Sequence, residues 1–259
     1  MDIKIIDFHT HPFDSDEYNI CSHSAYSDMS FENTQRDLKK LGISRICGSV
    51  IAKRKEKTEW SDIRSLNDKA LEMAKRYNGF YIPGFHVHPD FVRESCEEIE
   101  RMSKLGVKLI GELVPYHHHW NDYSDKGFYE ILDTAKSYNM VVSFHSMNED
   151  SMDKMVNDNK DVTFVAAHPG EYKEFMRHLE RMKMSENYHL DISGTGVFRH
   201  GMLRHAIDAV GVERILLGSD YPTCNPAMFV HAVVSDFLIK DYEKDYICSK
   251  NCERLLNIM

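Results

Sequence analysis

Fifteen of the 259 residues are histidine, a high share of the one side chain that both ligates metals and exchanges protons near neutral pH. Two of them, His9 and His11, stand two apart in Asp7-Phe8-His9-Thr10-His11. Side chains alternate along an extended chain, so both imidazoles point to one side and can chelate a single ion. Such a pair alone is weak evidence in a histidine-rich chain. Four more residues of ligand type each close an apolar run: Glu112 after Leu109-Ile110-Gly111, His145 after Val141-Val142-Ser143-Phe144, His168 after Val165-Ala166-Ala167, and Asp220 after Leu216-Leu217-Gly218-Ser219. A lone His145 or His168 reads better as a hydrogen-bonded core residue. Together these residues put two carboxylates and four imidazoles at the ends of five runs, and desolvating that set calls for a compensating cation. A zinc-like divalent ion in such a place lowers the pKa of bound water toward about 7, so that hydroxide is available to attack a carbonyl or phosphoryl centre. Asp220, beside that water, is the expected acid/base that takes its proton and passes it to the leaving group. Its alternative role is to cap the turn that follows.

These runs belong to a repeating pattern. Short β-branched or aliphatic segments near 3–9, 44–51, 80–87, 107–113, 140–146, 162–168, 188–193 and 213–220 alternate with charged segments of helical period near 31–41, 61–77, 90–105, 127–138, 149–158, 171–184, 200–210 and 225–257. The last is expected to be two helices broken around Lys240-Asp241. No linker divides the series. Eight β/α units predict one (β/α)8 TIM barrel over residues 1–259, with an extra C-terminal helix, and active sites of such barrels lie at the C-terminal ends of the strands. A doubly wound open sheet is the alternative, weakened because no glycine-rich phosphate loop follows the first strand.

Through DFHTH, FHS, AAHPG and LGSDYP, in that order and across nearly the whole chain, the sequence resembles the amidohydrolase superfamily of metal-dependent barrel hydrolases. FHTHPF, LGSDYP and the closing Asn251-Cys252-Glu253-Arg254-Leu255-Leu256 are similar to the amidohydrolase-related branch, which holds both hydrolases and nonoxidative decarboxylases. Leu109-Ile110-Gly111-Glu112 is instead similar to the strand-four glutamate of the TatD-like branch. The resemblance implies that His9, His11 and Asp220 hold one ion, that His145 and His168 hold a second, and that Glu112 bridges them; two ions are preferred over one. Many relatives bridge with a carboxylated lysine on strand four. Here strand parity puts Lys108, Ile110 and Glu112 on one face with Lys108 about 13 Å deeper, so Glu112 is the expected bridge. If Glu112 contacts only substrate, one ion remains, as in the decarboxylases.

The implied function is hydrolysis of a small-molecule amide, lactone, ester or phosphoester by metal-activated hydroxide at the mouth of the barrel. A one-metal decarboxylase and a TatD-like deoxyribonuclease are the alternatives, with a non-catalytic barrel as a further one. Substrate contacts are expected from His86, from His117 or a neighbour in Pro115-Tyr116-His117-His118-His119-Trp120, from Arg199 and from Tyr221, each weighed against a packing or surface role. With 32 basic and 41 acidic residues the net charge is −9. That charge, and the reading that no Lys/Arg cluster flanks the strand ends, disfavours nucleic acid. No apolar run approaches the roughly 18 residues that span a bilayer, and the chain enters a strand pattern at once with no room for a leader. A cytoplasmic protein with six reduced cysteines is expected; Cys248 and Cys252, four apart, read as two packed thiols rather than metal ligands. A homo-oligomer is left open.

Overall fold

The computed structural model describes residues 3–20, 30–196 and 199–258; Cys21, and Val197 and Phe198 before Arg199, lie outside them. Eight parallel strands follow in chain order: β1 (Ile5–Asp7), β2 (Ile43–Gly48), β3 (Tyr81–Phe85), β4 (Leu109–Leu113), β5 (Val141–His145), β6 (Thr163–Ala167), β7 (Tyr188–Asp191) and β8 (Ile215–Leu216). All but β2 fall inside a run read from the sequence, and β2 begins one residue before its run, at Ile43. The order never reverses, which removes the doubly wound alternative, whose strand order must. The ends meet as well: Phe8 N–H donates to the Leu217 carbonyl at 2.8 Å, Asp220 N–H donates to the His9 carbonyl at 2.8 Å, and Thr10 pairs in parallel with Tyr221. The fold is the expected (β/α)8 TIM barrel.

Between the strands run α1 (Phe31–Lys40), α2 (Trp60–Arg76), α3 (Val92–Lys104), α4 (Lys126–Ser137), α5 (Glu149–Asp158), α6 (Tyr172–Met184) and α7 (Met202–Val210). Ser30 and Asn148 cap α1 and α5 with side-chain oxygens, and Asp125 caps α4, satisfying N–H groups that a first turn leaves unpaired. The apolar residues divide into two layers. Ile46, Phe85, Ile110, Leu113, Val142, Phe144 and Leu190 pack outward against the helices, while Ile6, Phe8, Cys47, Leu109, Val141, Val165 and Leu216 fill the barrel.

After β8 the expected two helices are three, α8 (Pro226–Val234), α9 (Asp241–Asp245) and α10 (Asn251–Leu256), with a π-helical turn at Tyr246–Lys250 leading into α10. Asn251 donates to the carbonyls of Val212 and Ile215 at 2.8 Å each. This lays α10 under the barrel, where Cys252 and Leu256 join the interior layer. Cys252 packs its sulfur 3.7 Å from that of Cys47, whereas Cys248 lies in the outer layer. The cysteines pack as thiols, but Cys252 does so against β2 and not against Cys248, because the π turn separates the faces that a continuous α-helix would align.

Strand parity fails in β4. Leu109 faces the interior and Ile110 the helices, yet Leu113 faces the helices too, because the pairing with β5 shifts register between Ile110 and Leu113. The shift sits at Gly111, with φ +94° and so little room that a Cβ would meet the Ser143 carbonyl oxygen at 2.1 Å. Lys108, Ile110 and Glu112 therefore do not share a face: Ile110 packs outward and Lys108 donates to the Tyr138 carbonyl at 3.1 Å. Beside Gly111 stand Gly84 of β3 and Gly48 of β2, whose backbones approach as closely.

Candidate metal centre

The strand ends converge. β1 stops at Asp7, whose carboxylate accepts from the Ser219 N–H at 2.9 Å and the Ser219 hydroxyl at 2.5 Å, pinning the start of His9-Thr10-His11 to the Gly218–Asp220 segment. Burial raises the Asp7 carboxyl to about 7 against the lowering effect of Ser219. His9 and His11 then bring their Nε2 atoms 3.3 Å apart. Glu112 Oε2 lies 3.1 Å from each of them, and Asp220 Oδ1 lies 3.7 Å and 3.6 Å away. The other oxygen, Glu112 Oε1, lies 3.1 Å from His145 Nδ1 and 3.5 Å from His168 Nε2, themselves 3.1 Å apart. All six residues predicted from the sequence thus meet around one carboxylate. His168 and Asp220 hold left-handed backbone, φ 67° and 59°, a conformation uncommon outside glycine that recurs where side chains are held for function.

The chemistry of this donor set fits a cation. His11 Nδ1 faces the Ser49 carbonyl at 3.0 Å and must donate to it; His9 Nδ1 faces Asp191 Oδ2 at 3.0 Å. With the proton on Nδ1, a neutral imidazole carries a bare lone pair at Nε2. Lone pairs and carboxylate oxygens then confront one another at 3.1–3.7 Å among side chains no more than 2% exposed at His9, His11 and Glu112. Such a cluster is stable only with positive charge inside it. Protonation shifts express the same demand. Burial pulls His9 down, but Glu112 and Asp191 together lift it well above its ordinary value. Burial pushes Glu112 up, but His9 and hydrogen bonds from His11 and His145 hold it well below the usual carboxylate range. Two overlapping triads, His9–His11–Asp220 and His9–Glu112–His168, have the spacing of a metal site.

Asp191, at the end of β7, was not among the predicted residues. It is fully buried; its Oδ1 accepts from the Ser193 N–H at 2.9 Å and from the Ser193 hydroxyl. Ser193 Oγ also lies 2.9 Å from His9 Nδ1 and 3.0 Å from His168 Nδ1. The pair orients imidazoles from both triads. Asp191 closes Tyr188-His189-Leu190 as the other ligand-type residues close their runs, so the same signal marks it; Ser193 carries none.

Above the cluster opens a cleft of about 500 Å³ lined by His11, Glu112, His145, His168 and Asp220 below, and by Ile51, Val114, Tyr116, His117, Lys53 and Arg54 around its rim. Of the predicted substrate contacts only His117 lines it. Burial, with the nearby Arg54 charge contributing, lowers the His117 imidazole. His86 is buried, donating Nε2–H to the Val50 carbonyl at 2.8 Å. Tyr221 stacks on Phe13 and bonds Thr34 Oγ1 through its hydroxyl at 2.9 Å. Arg199 pairs with Glu171 and lines a separate hollow with His200 and Phe237. The rim also corrects the expectation of no basic cluster: Lys53-Arg54-Lys55-Glu56-Lys57 begins five residues after β2 ends at Gly48. Lys53, Lys55 and Lys57 pair with Asp16, Asp62 and Glu59, which neutralises all of the run's cations but Arg54 among the described residues. No helix among the described residues is long and apolar enough to cross a membrane.

A family model described as amidohydrolase matches residues 6–258. No curated protein matches the chain in sequence. Among solved structures it is similar to 2,6-dihydroxybenzoate decarboxylase from Rhizobium (14% identity, 99% of each chain, TM-score 0.80). It is similar also to 5-carboxyvanillate decarboxylase from Sphingomonas paucimobilis (15% identity, 99% and 100%, TM-score 0.74). A third is dihydroxybenzoic acid decarboxylase from Polaromonas sp. JS666 with bound manganese and 2-nitroresorcinol (14% identity, 99% and 97%, TM-score 0.75).

Proposed function

The chain belongs to the amidohydrolase family, and on that premise we propose that it is a metal-dependent hydrolase of a small-molecule amide, lactone, ester or phosphoester. One observation carries the reading: the two oxygens of Glu112 face two different imidazole pairs, His9 with His11 on one side and His145 with His168 on the other. That is the arrangement of a carboxylate shared between two cations. His9, His11 and Asp220 would hold one ion, His145 and His168 the second, with Glu112 between. Divalent ions there supply Lewis acidity toward a substrate oxygen and acidify water at neutral pH; nitrogen and oxygen donors of this kind accept Zn²⁺ and Mn²⁺ alike.

The protein's own groups do the rest. Asp220, opening onto the cleft, accepts the proton of the attacking water and delivers it to the leaving group. Asp191 and Ser193 keep Nδ1 of His9 and His168 engaged, so that the opposite nitrogens stay proton-free and aimed. Ile51, Val114 and Tyr116 wall the cleft with apolar and aromatic surface that seats the body of the substrate and sheds water from it.

The names of the similar structures favour a second reading, nonoxidative decarboxylation at one ion, with Glu112 touching substrate. A parallel assay separates the two. Metal-loaded protein is offered amides, lactones, aryl esters and phosphoesters, and in separate wells hydroxylated aromatic carboxylates with CO₂ release followed. Hydrolysis that falls about a thousandfold or more in Asp220→Asn, with no CO₂ released, is the expected result. CO₂ release without hydrolysis of any class would replace the hydrolytic reading by the decarboxylative one.

A further inference from the structure

Lys53 and Arg54, at the rim of the cleft, belong to a set of four cations in five positions on the β2–α2 loop. Three of them have carboxylate partners; among the described residues Arg54 has none. It is nevertheless held. His119 donates Nε2–H to the Lys55 carbonyl at 2.8 Å, which leaves its Nδ1 as the acceptor, and Arg54 Nη2 donates to that nitrogen at 3.3 Å. A neutral ring, not an acid, steadies this guanidinium, so its charge stays uncompensated while its position is set. Arg54 lines the same cleft as Glu112, His145 and Asp220, and Lys53 stands beside it. On a protein of net charge −9, a positioned and unpaired arginine at the rim of the candidate site is a receptor for an anion, and its planar fork matches carboxylate or phosphate oxygens in pairs.

We propose that Arg54, oriented by His119 and flanked by Lys53, determines specificity by receiving an anionic substituent of the substrate remote from the bond that reacts. The inference rests on the reading that the cleft holds the substrate, and it narrows that substrate to a small molecule bearing a carboxylate or phosphate in addition to its reacting group. With apolar walls at Ile51 and Val114 and an aromatic one at Tyr116, the part between the two ends is a small, flat or apolar body.

The test is a binding preference, read by calorimetry on metal-loaded protein with benzoate, benzene-1,3-dicarboxylate and 3-phosphonobenzoate as probes. Wild type should bind at least one doubly anionic probe about tenfold or more tighter than benzoate, the gain of one well-placed charge-assisted pair. Arg54→Gln should erase most of that advantage, Arg54→Lys should keep part of it, and rising salt should shrink it because the residue is exposed. Whichever of the two probes carries the preference identifies the anion as carboxylate or phosphate. Equal affinities in wild type, or an advantage that survives Arg54→Gln, would overturn the proposal. Its failure is separable from that of the hydrolytic reading: an intact preference without hydrolysis sinks only the latter, and hydrolysis without the preference sinks only the anchor.

Discussion

Around Glu112 the structure brings side chains from six strand ends, and the roles proposed for them differ in what each substitution should disturb. His168→Ala removes a candidate donor and Asp191→Asn replaces the carboxylate that fixes the His9 tautomer by a neutral amide; each should weaken divalent-metal affinity about 10–100-fold, measured by competition with a chromogenic chelator, while leaving the circular dichroism spectrum unchanged. Metal affinity at the wild-type level in Asp191→Asn would remove that residue from the site. Asp220→Asn should keep most of its metal and lose turnover; activity retained in that variant would refute its acid/base role. The residues that meet around Glu112 were readable because each closes an apolar run with a group that is costly to bury alone. Asp191 obeys the same rule. His86, Tyr221 and Arg199 could not be placed that way, since spacing along a loop says nothing of which carbonyl, hydroxyl or acid meets the side chain. Arg54 followed a strand end, but only the fold distinguishes it from its three neutralised neighbours.

The elements themselves were visible in periodicity, because short, largely buried strand runs and helices with one apolar face leave different repeats. What periodicity could not carry was a break in the repeat. The register shift at Gly111 turns Glu112 toward Oε contacts with four imidazoles and sends Leu113 outward, and the π turn before α10 separates Cys248 from Cys252. Both depend on packing from distant strands. The three glycines of β2, β3 and β4 give this a measurable consequence. A Cβ on Gly84 would lie 2.2 Å from the Gly111 carbonyl oxygen, and backbone cannot yield as a flexible side chain can. Gly84→Ala should therefore destabilise the protein by about 2 kcal/mol or more, read as a shift in the urea midpoint at constant slope. A neutral substitution would mean that the strands below the metal centre are not as tightly apposed as described.

Across the whole molecule, histidines outside the centre tie stability to pH. Burial lowers His86 and His189 to about 4 and His178 to about 3, the last with the nearby Arg181 charge contributing. In the unfolded chain each titrates near 6.5. Their folded values are depressed, so the unfolded state binds more protons below about pH 6.5, and stability present at neutral pH is lost as pH falls toward 4. Each contributes a slope of roughly 1 kcal/mol per pH unit between about pH 5 and 6. His189, at the start of β7 and donating to the Phe164 and Asn187 carbonyls, lies away from the donors, so His189→Gln should reduce the slope of unfolding free energy against pH by about that amount. An unchanged slope would show that this imidazole does not stay neutral in the fold.

If Glu112 is shared between two cations, the metal content of the protein must show it. Untagged protein purified without chelators, analysed by plasma mass spectrometry, should carry close to two divalent ions per chain, and the count should fall in Glu112→Gln, which keeps the shape of the side chain but removes the charge that both imidazole pairs face. Close to one ion per chain, unchanged by that substitution, would contradict the bridged centre and move Glu112 to the substrate.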